Sequence, residues 1–170
     1  LMAEAFGRKR RSVRDVRRTV RQGFWTALAF SVPVWAVLWQ AESILLALGQ
    51  QPALAAGAAQ AMSTLQWGIF PFLVYLVLRT FLAALERPGW ALAVALAALP
   101  VNLVLAWILI FGRLGAPALG LWGAGLATSI TCLFMALALG VVVSVHSRFR
   151  RFHLFGRFWR ADWPRFRRIW

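Results

Sequence analysis

The sequence is short of every group that usually carries chemistry. Cys132 is the single cysteine among 170 residues. It excludes an internal disulfide and reads as a small apolar packing residue. The two histidines, His146 and His153, have no partners at ligand spacing, so no metal site is expected. Acids are scarcer still. Glu4, Asp15, Glu42, Glu86 and Asp162 are the full set, and each falls in an expected loop or near a helix end. No paired carboxylates, Ser/His/Asp set or phosphate-cradling glycine loop can be assembled from what is there. The sequence therefore points away from an enzyme and calls for no cofactor.

What the chain has instead is oil and arginine. It is 61% hydrophobic with a mean hydropathy of +0.69, where soluble domains are about 45–50% apolar. The apolar residues come in blocks, the pattern of a membrane protein rather than of a large soluble core. Of 19 basic residues, eight lie in Arg8–Arg21 and eight in Arg148–Arg168, leaving only Arg79, Arg87 and Arg113 between them. A net charge of +14 could suit nucleic acid, but these basic blocks border apolar runs, so a membrane surface is the favoured partner and nucleic acid is not. The segment RFRRFHLFGRFWRADWPRFRRIW, which interleaves Arg with Phe and Trp, reads the same way, as a basic aromatic linker over 148–170 lying on anionic lipid.

Four spanning helices are expected, at about 24–48, 61–85, 90–111 and 121–145, each near the length of about 20 apolar residues that a bilayer requires. Gly/Pro turns separate them: LGQQPA, ERPG and GRLGAPALG. Between Ala91 and Phe111 stand twelve Leu, Ile, Val or Phe residues, which favour insertion by roughly 4–7 kcal/mol at most, so one Pro and one Asn do not reverse it. An even number of crossings puts both Arg-rich ends on one face, together with Arg87. That satisfies the positive-inside rule with both ends cytoplasmic. Trp25, Trp39, Trp90 and Trp122 fall near expected helix ends, where an amphipathic ring anchors at headgroup level. The opening LMAEAFGRKRR reads as the tail of an earlier helix passing into a basic cytoplasmic loop over 1–22. DWPRFRRIW reads as the opening of another element, with Asp162 able to cap it and Pro164 suited to its first turn. A fragment of a longer protein is expected.

Few polar residues interrupt the blocks. Asn102 follows Pro100 by two residues inside PVNLVLAWILIFG. Proline removes one backbone donor and frees a carbonyl one turn earlier, so this is a locally polar, kinked spot. It is tolerated in lipid only where protein or a watery cavity covers it. Asn102 can serve an interhelical hydrogen bond or bind a cation or substrate. Pro33 and Pro71 predict further kinks. Gly120, Ala124 and Thr128, like Gly125 and Ser129, recur at a spacing that lets helices approach closely, while Thr128, Ser129 and Thr131 can offer hydroxyls to a cavity. Gln66 and Trp107 lie deep enough to line a substrate cavity. Arg79 is near enough to an end to snorkel, and Glu42 is too near an interface to carry protons deep in the membrane.

Four stretches taken in order, LLALGQQPALAAGAA, LRTFLAALERPGWAL, LPVNLVLAWILIFGRLGAPALGLWGAGLAT and RFRRFHLFGRFWRADWPRFR, resemble the multidrug and toxic compound extrusion (MATE) transporters of the NorM type. The resemblance covers nearly the whole chain. It implies an all-α polytopic membrane protein, with this chain matching the end of helix 2 through helix 6 of a twelve-helix plan, four transmembrane helices of an incomplete six-helix lobe. It also implies export of cationic amphipathic, drug-like small molecules across the inner membrane in exchange for Na⁺ or H⁺, by lobes that rock about a central cavity. Membrane lipids and the missing remainder of the transporter are the implied partners.

In that family a cation site joins a helix 1 aspartate, which lies outside this chain, to polar residues of helices 5 and 6. Asn102 matches the first helix 5 position and Thr128 a helix 6 hydroxyl. One turn after Asn102, on the same face, many members carry Asn or Asp where this chain has Ala106. Two other functions remain: a lipid-linked precursor flippase of the same superfamily, which predicts a wider basic cavity, and a non-transporting membrane anchor whose basic ends bind lipid or nucleic acid.

Overall fold

The computed structural model describes residues 2–113 and 117–146, with side chains from Arg18 onward; the basic linker expected over 148–170 lies outside them. The described chain forms α1 (Met2–Trp39), α2 (Ala41–Ala47), α3 (Pro52–Ala84), α4 (Gly89–Phe111) and α5 (Gly120–Val145). No strand occurs among the described residues.

Two boundaries differ from expectation at the first helix. The basic block at Arg8–Arg21 is helical, not a loop, because α1 runs unbroken from Met2 to Trp39. Charge does not oppose a helix, since Arg, Lys and Glu are good helix formers. At the other end the span expected over 24–48 is broken. The axis bends by 56° between Trp39 and Ala41, with Gln40 N–H donating to the Val37 carbonyl at 3.1 Å and Gln40 carbonyl accepting from Ile44 at 3.0 Å. From Phe24 to Trp39 the helix is about 24 Å long, short of a bilayer core of about 30 Å. The polar run Gln40, Glu42, Ser43 follows at once, so the chain turns where it reaches more polar surroundings. Helices α3, α4 and α5 are long and apolar enough to cross a membrane, and α1 with α2 makes a fourth crossing only as a broken span.

Helix α3 begins at Pro52, earlier than the expected Ala61. Pro52 occupies the first turn, where its missing N–H costs nothing, and the alanine-rich stretch that follows is strongly helix-forming. The turn to α4 places Glu86 at φ 57°, and α4 ends on Gly112 at φ 66°. A Cβ on Gly112 would come within 2.6 Å of Ala118 N, so this turn needs glycine both for its dihedral and for space.

Helix α3 is the hub. It packs on α5 along one side and on α1 along the other, while α4 leans on α5 and barely touches α3. The α3–α5 seam runs backbone against backbone. A Cβ on Gly68 would meet Ser129 Cα at 2.9 Å, and one on Gly125 would collide with Thr64 Oγ1 and the Ala61 carbonyl. Ser129 Oγ donates across the seam to the Thr64 carbonyl at 2.6 Å, and Thr64 Oγ1 donates back to the Trp122 carbonyl at 3.1 Å. Close backbone approach with hydroxyls bonding across it is how helices associate when lipid supplies no hydrophobic force between them. Toward the Arg-rich end the apolar core widens to take in Phe24, Leu78, Leu82, Val94 and Leu139. The opposite face of α4 stays bare: Leu92, Leu96, Leu99 and Leu103 form an exposed stripe suited to hydrocarbon.

Candidate cation and substrate sites

Asn102 continues the α4 face that Ala91, Val94 and Ala98 bury against α5. Its side chain is half-buried. The Nδ2 amide donates to Thr131 Oγ1 at 3.1 Å, and that hydroxyl donates onward to the Ala127 carbonyl at 2.8 Å. The partner is therefore Thr131 rather than Thr128. Thr128 stands one turn earlier on α5 and donates to its own Ala124 carbonyl at 3.1 Å. Thr131 orients the amide, and orientation decides which edge remains for a ligand. One Nδ2 N–H is engaged, and Oδ1 stays available as an acceptor. Ser129, grouped with these hydroxyls by sequence, is buried in the α3–α5 seam and is not at the site.

Gln66 lies on a different seam. It is 4% exposed, and its Oε1 has no hydrogen-bond partner. Its backbone carbonyl accepts from Trp35 Nε1 at 2.6 Å, one residue before the carbonyl that Pro71 leaves without its helical donor. Trp35 in turn meets Trp67 with ring centroids 5.5 Å apart. Together with Trp39, Val32 and Ala36 these residues line an open groove of about 310 Å³ between α1 and α3. Trp35 and Trp67 are site candidates that reading the sequence missed. The available signal was an indole at the centre of an apolar run, away from the interfaces where tryptophan concentrates, with Trp35 and Trp39 one helical turn apart.

Trp107 joins neither seam. It is 48% exposed on α4, and the Arg113 guanidinium sits 5.5 Å from its ring centroid, a cation–π contact at the end of the helix. The structure thus pairs Asn102 with Thr131, keeps Thr128 one turn away, and separates both from Gln66 and Trp107. Among the described residues no group of three His, Cys, Asp or Glu could hold a metal ion.

The MatE family profile matches residues 1–108. The chain is 52% identical over 166 residues to the probable multidrug resistance protein NorM of Mesorhizobium japonicum, covering 98% of this chain and 36% of that protein. It is 52% identical over its full length to the protein of the same name from Brucella suis, again covering 36% of it. The Bradyrhizobium diazoefficiens protein of that name is 41% identical over 99% of this chain and 36% of its own length. The chain spans about a third of the length of these relatives. It belongs to the MatE family and is a multi-pass membrane protein.

Proposed function

We propose that this chain forms part of a secondary active multidrug efflux antiporter of the inner membrane, exporting cationic amphipathic compounds in exchange for Na⁺ or H⁺, with both Arg-rich ends cytoplasmic. The observation that carries the reading is the Asn102–Thr131 pair between α4 and α5. The bond to Thr131 at 3.1 Å holds an amide oxygen available in a half-buried, low-dielectric setting, where a hard cation is drawn to oxygen ligands. Thr128 supplies a second oxygen one turn away. Ala106 offers no ligand on that face, so further ligands come from elsewhere in the transporter. The names of the relatives support a drug cargo. So does the groove at Gln66, which Trp35, Trp39 and Trp67 line, a setting suited to a flat organic cation. The flippase alternative is disfavoured because α3, α4 and α5 carry one basic residue between them, Arg79.

Ion-driven efflux of a cationic dye from cells expressing the full-length transporter that contains this chain tests this. Asn102→Ala is expected to lower efflux at least tenfold, with Asn102→Asp retaining more of it than Asn102→Ala. Efflux unchanged by Asn102→Ala would leave the residue only its hydrogen bond, worth about 0.6 kcal/mol on average.

A further inference from the structure

Helix α1 carries a proline in its interior, Pro33, and α3 carries another, Pro71. Each removes one helical rung. Pro33 leaves the Ala29 carbonyl without its donor, as Pro71 does the Trp67 carbonyl. The two gaps lie at one depth. Gly23 lies against Val77 and Trp35 reaches Gln66, so α1 and α3 run antiparallel in a register that sets Ala29 level with Pro71 and Pro33 level with Trp67. Ser31, fully buried, softens α1 further by donating to the Ala27 carbonyl at 2.8 Å, a back-bond that bends helices. On the Arg-rich side of this level α1 is anchored, with Val20, Phe24 and Ala27 buried.

Just beyond Pro33 stands a tie to α3. The Trp35 indole N–H donates to the Gln66 carbonyl at 2.6 Å. That carbonyl has an ordinary helical donor in the Phe70 N–H, so it does not need the indole. The side-chain Oε1 of the same residue does need a donor. It is buried with no hydrogen-bond partner, which raises the energy of this arrangement. This chain alone encloses that atom, so a helix laid over the outside by the rest of a longer protein does not supply the donor. Moving the indole N–H from the carbonyl to Oε1 satisfies both acceptors of Gln66.

We propose that Trp35 is a two-position latch on a hinge at Pro33. One position is the arrangement described above. In the other, the part of α1 beyond Pro33 swings with α2 against α3, and the indole N–H passes from the Gln66 carbonyl to Gln66 Oε1. Both acceptors belong to one residue, so the exchange needs a displacement smaller than one helical turn of about 5.4 Å. The α3–α5 seam, held backbone to backbone at Gly68 and Gly125, is the fixed frame against which α1 moves. The latch does not depend on the ion or the cargo carried, so it stands or falls apart from the antiporter reading.

Double electron–electron resonance on the purified full-length transporter that contains this chain, in a cysteine-free background, reads both positions. Spin labels at Val37→Cys, beyond the hinge on α1, and Leu137→Cys on α5 are expected to give two distances. Labels at Leu28→Cys, on the anchored side of the hinge, and Leu137→Cys are expected to give one. Gln66→Leu removes the second acceptor and spares the first. It is expected to lower the population that departs from this structure about fivefold or more, where a merely structural glutamine would leave the distances unmoved. Pro33→Ala restores the rung to Ala29 and is expected to lower the same population. A single distance for the Val37–Leu137 pair in the otherwise unaltered protein would overturn the proposal. So would two populations that Gln66→Leu leaves unchanged. If Gln66→Leu fails to fold, the unaltered pair and Pro33→Ala still decide.

Discussion

Two glycines one helix apart illustrate how differently the same residue type can act. Gly57 on α3 faces only the end of the Leu121 side chain, at 3.2 Å from an added Cβ, whereas Gly125 on α5 faces Thr64 Oγ1 and the Ala61 carbonyl. Flexible side chains yield and backbone does not. Gly57→Ala is therefore expected to be neutral or to stabilise by up to about 1 kcal/mol, through the better helix propensity of alanine. Gly125→Ala is expected to destabilise by about 1–3 kcal/mol, as overpacking does. Thermal unfolding of the two variants in micelles checks the opposite signs; matching shifts would mean the α3–α5 seam is looser than the structure shows. The sequence could be read this far: the small-residue spacing around Gly125 and Ser129 announces close packing. It could not assign partners. Asn102 stands out as an amide in an apolar run, but choosing Thr131 over Thr128 depends on how α4 rotates against α5. That rotation is set by Ala91, Val94 and Ala98 packing, not by any local pattern.

At the scale of the element, hydropathy located α4 and α5 to within about a residue, because glycine and proline mark their ends sharply. It did worse on α1. A window average spreads the apolar residues of 24–48 into one span, while the 56° bend at Gln40 reflects three polar residues that an average dilutes. The basic block was misread as a loop for the converse reason, since charge reports exposure and says little about backbone conformation. Whether α1 and α2 cross the membrane or only dip into it is a question of sidedness. With Cys132→Ala removing the native thiol, Ser12→Cys before the apolar part of α1 and Gln50→Cys after α2 are expected to react with a membrane-impermeant thiol reagent from opposite sides. Labelling of both from one side would make the bent pair re-entrant and leave three crossings.

The whole molecule inherits its topology from that count. With the bent pair as one crossing there are four, and the two Arg-rich segments, each with eight basic residues, share a face as the positive-inside rule favours; with three they would be divided across the bilayer. Reporter tags fused to the two ends are expected on the same side. Four crossings do not by themselves make a transport path. Alternating access needs two packed halves that rock about a shared site, and this chain covers 36% of its Mesorhizobium relative. The Asn102–Thr131 pair lies between α4 and α5, and the Gln66 groove lies between α1 and α3. These sites sit on separate seams of α3 and its neighbours, with no enclosure shared by both among the described residues. The stripe of Leu92, Leu96, Leu99 and Leu103 on α4 and the open tryptophan groove are surfaces, not walls of a closed chamber. The 170 residues reconstituted alone into liposomes are therefore expected to retain a preloaded cationic dye when a Na⁺ or proton gradient is imposed. Gradient-dependent dye loss above that of empty liposomes would mean that copies of this chain together stand in for the rest of the transporter, and the two seams would then have to be read as parts of one intersubunit cavity.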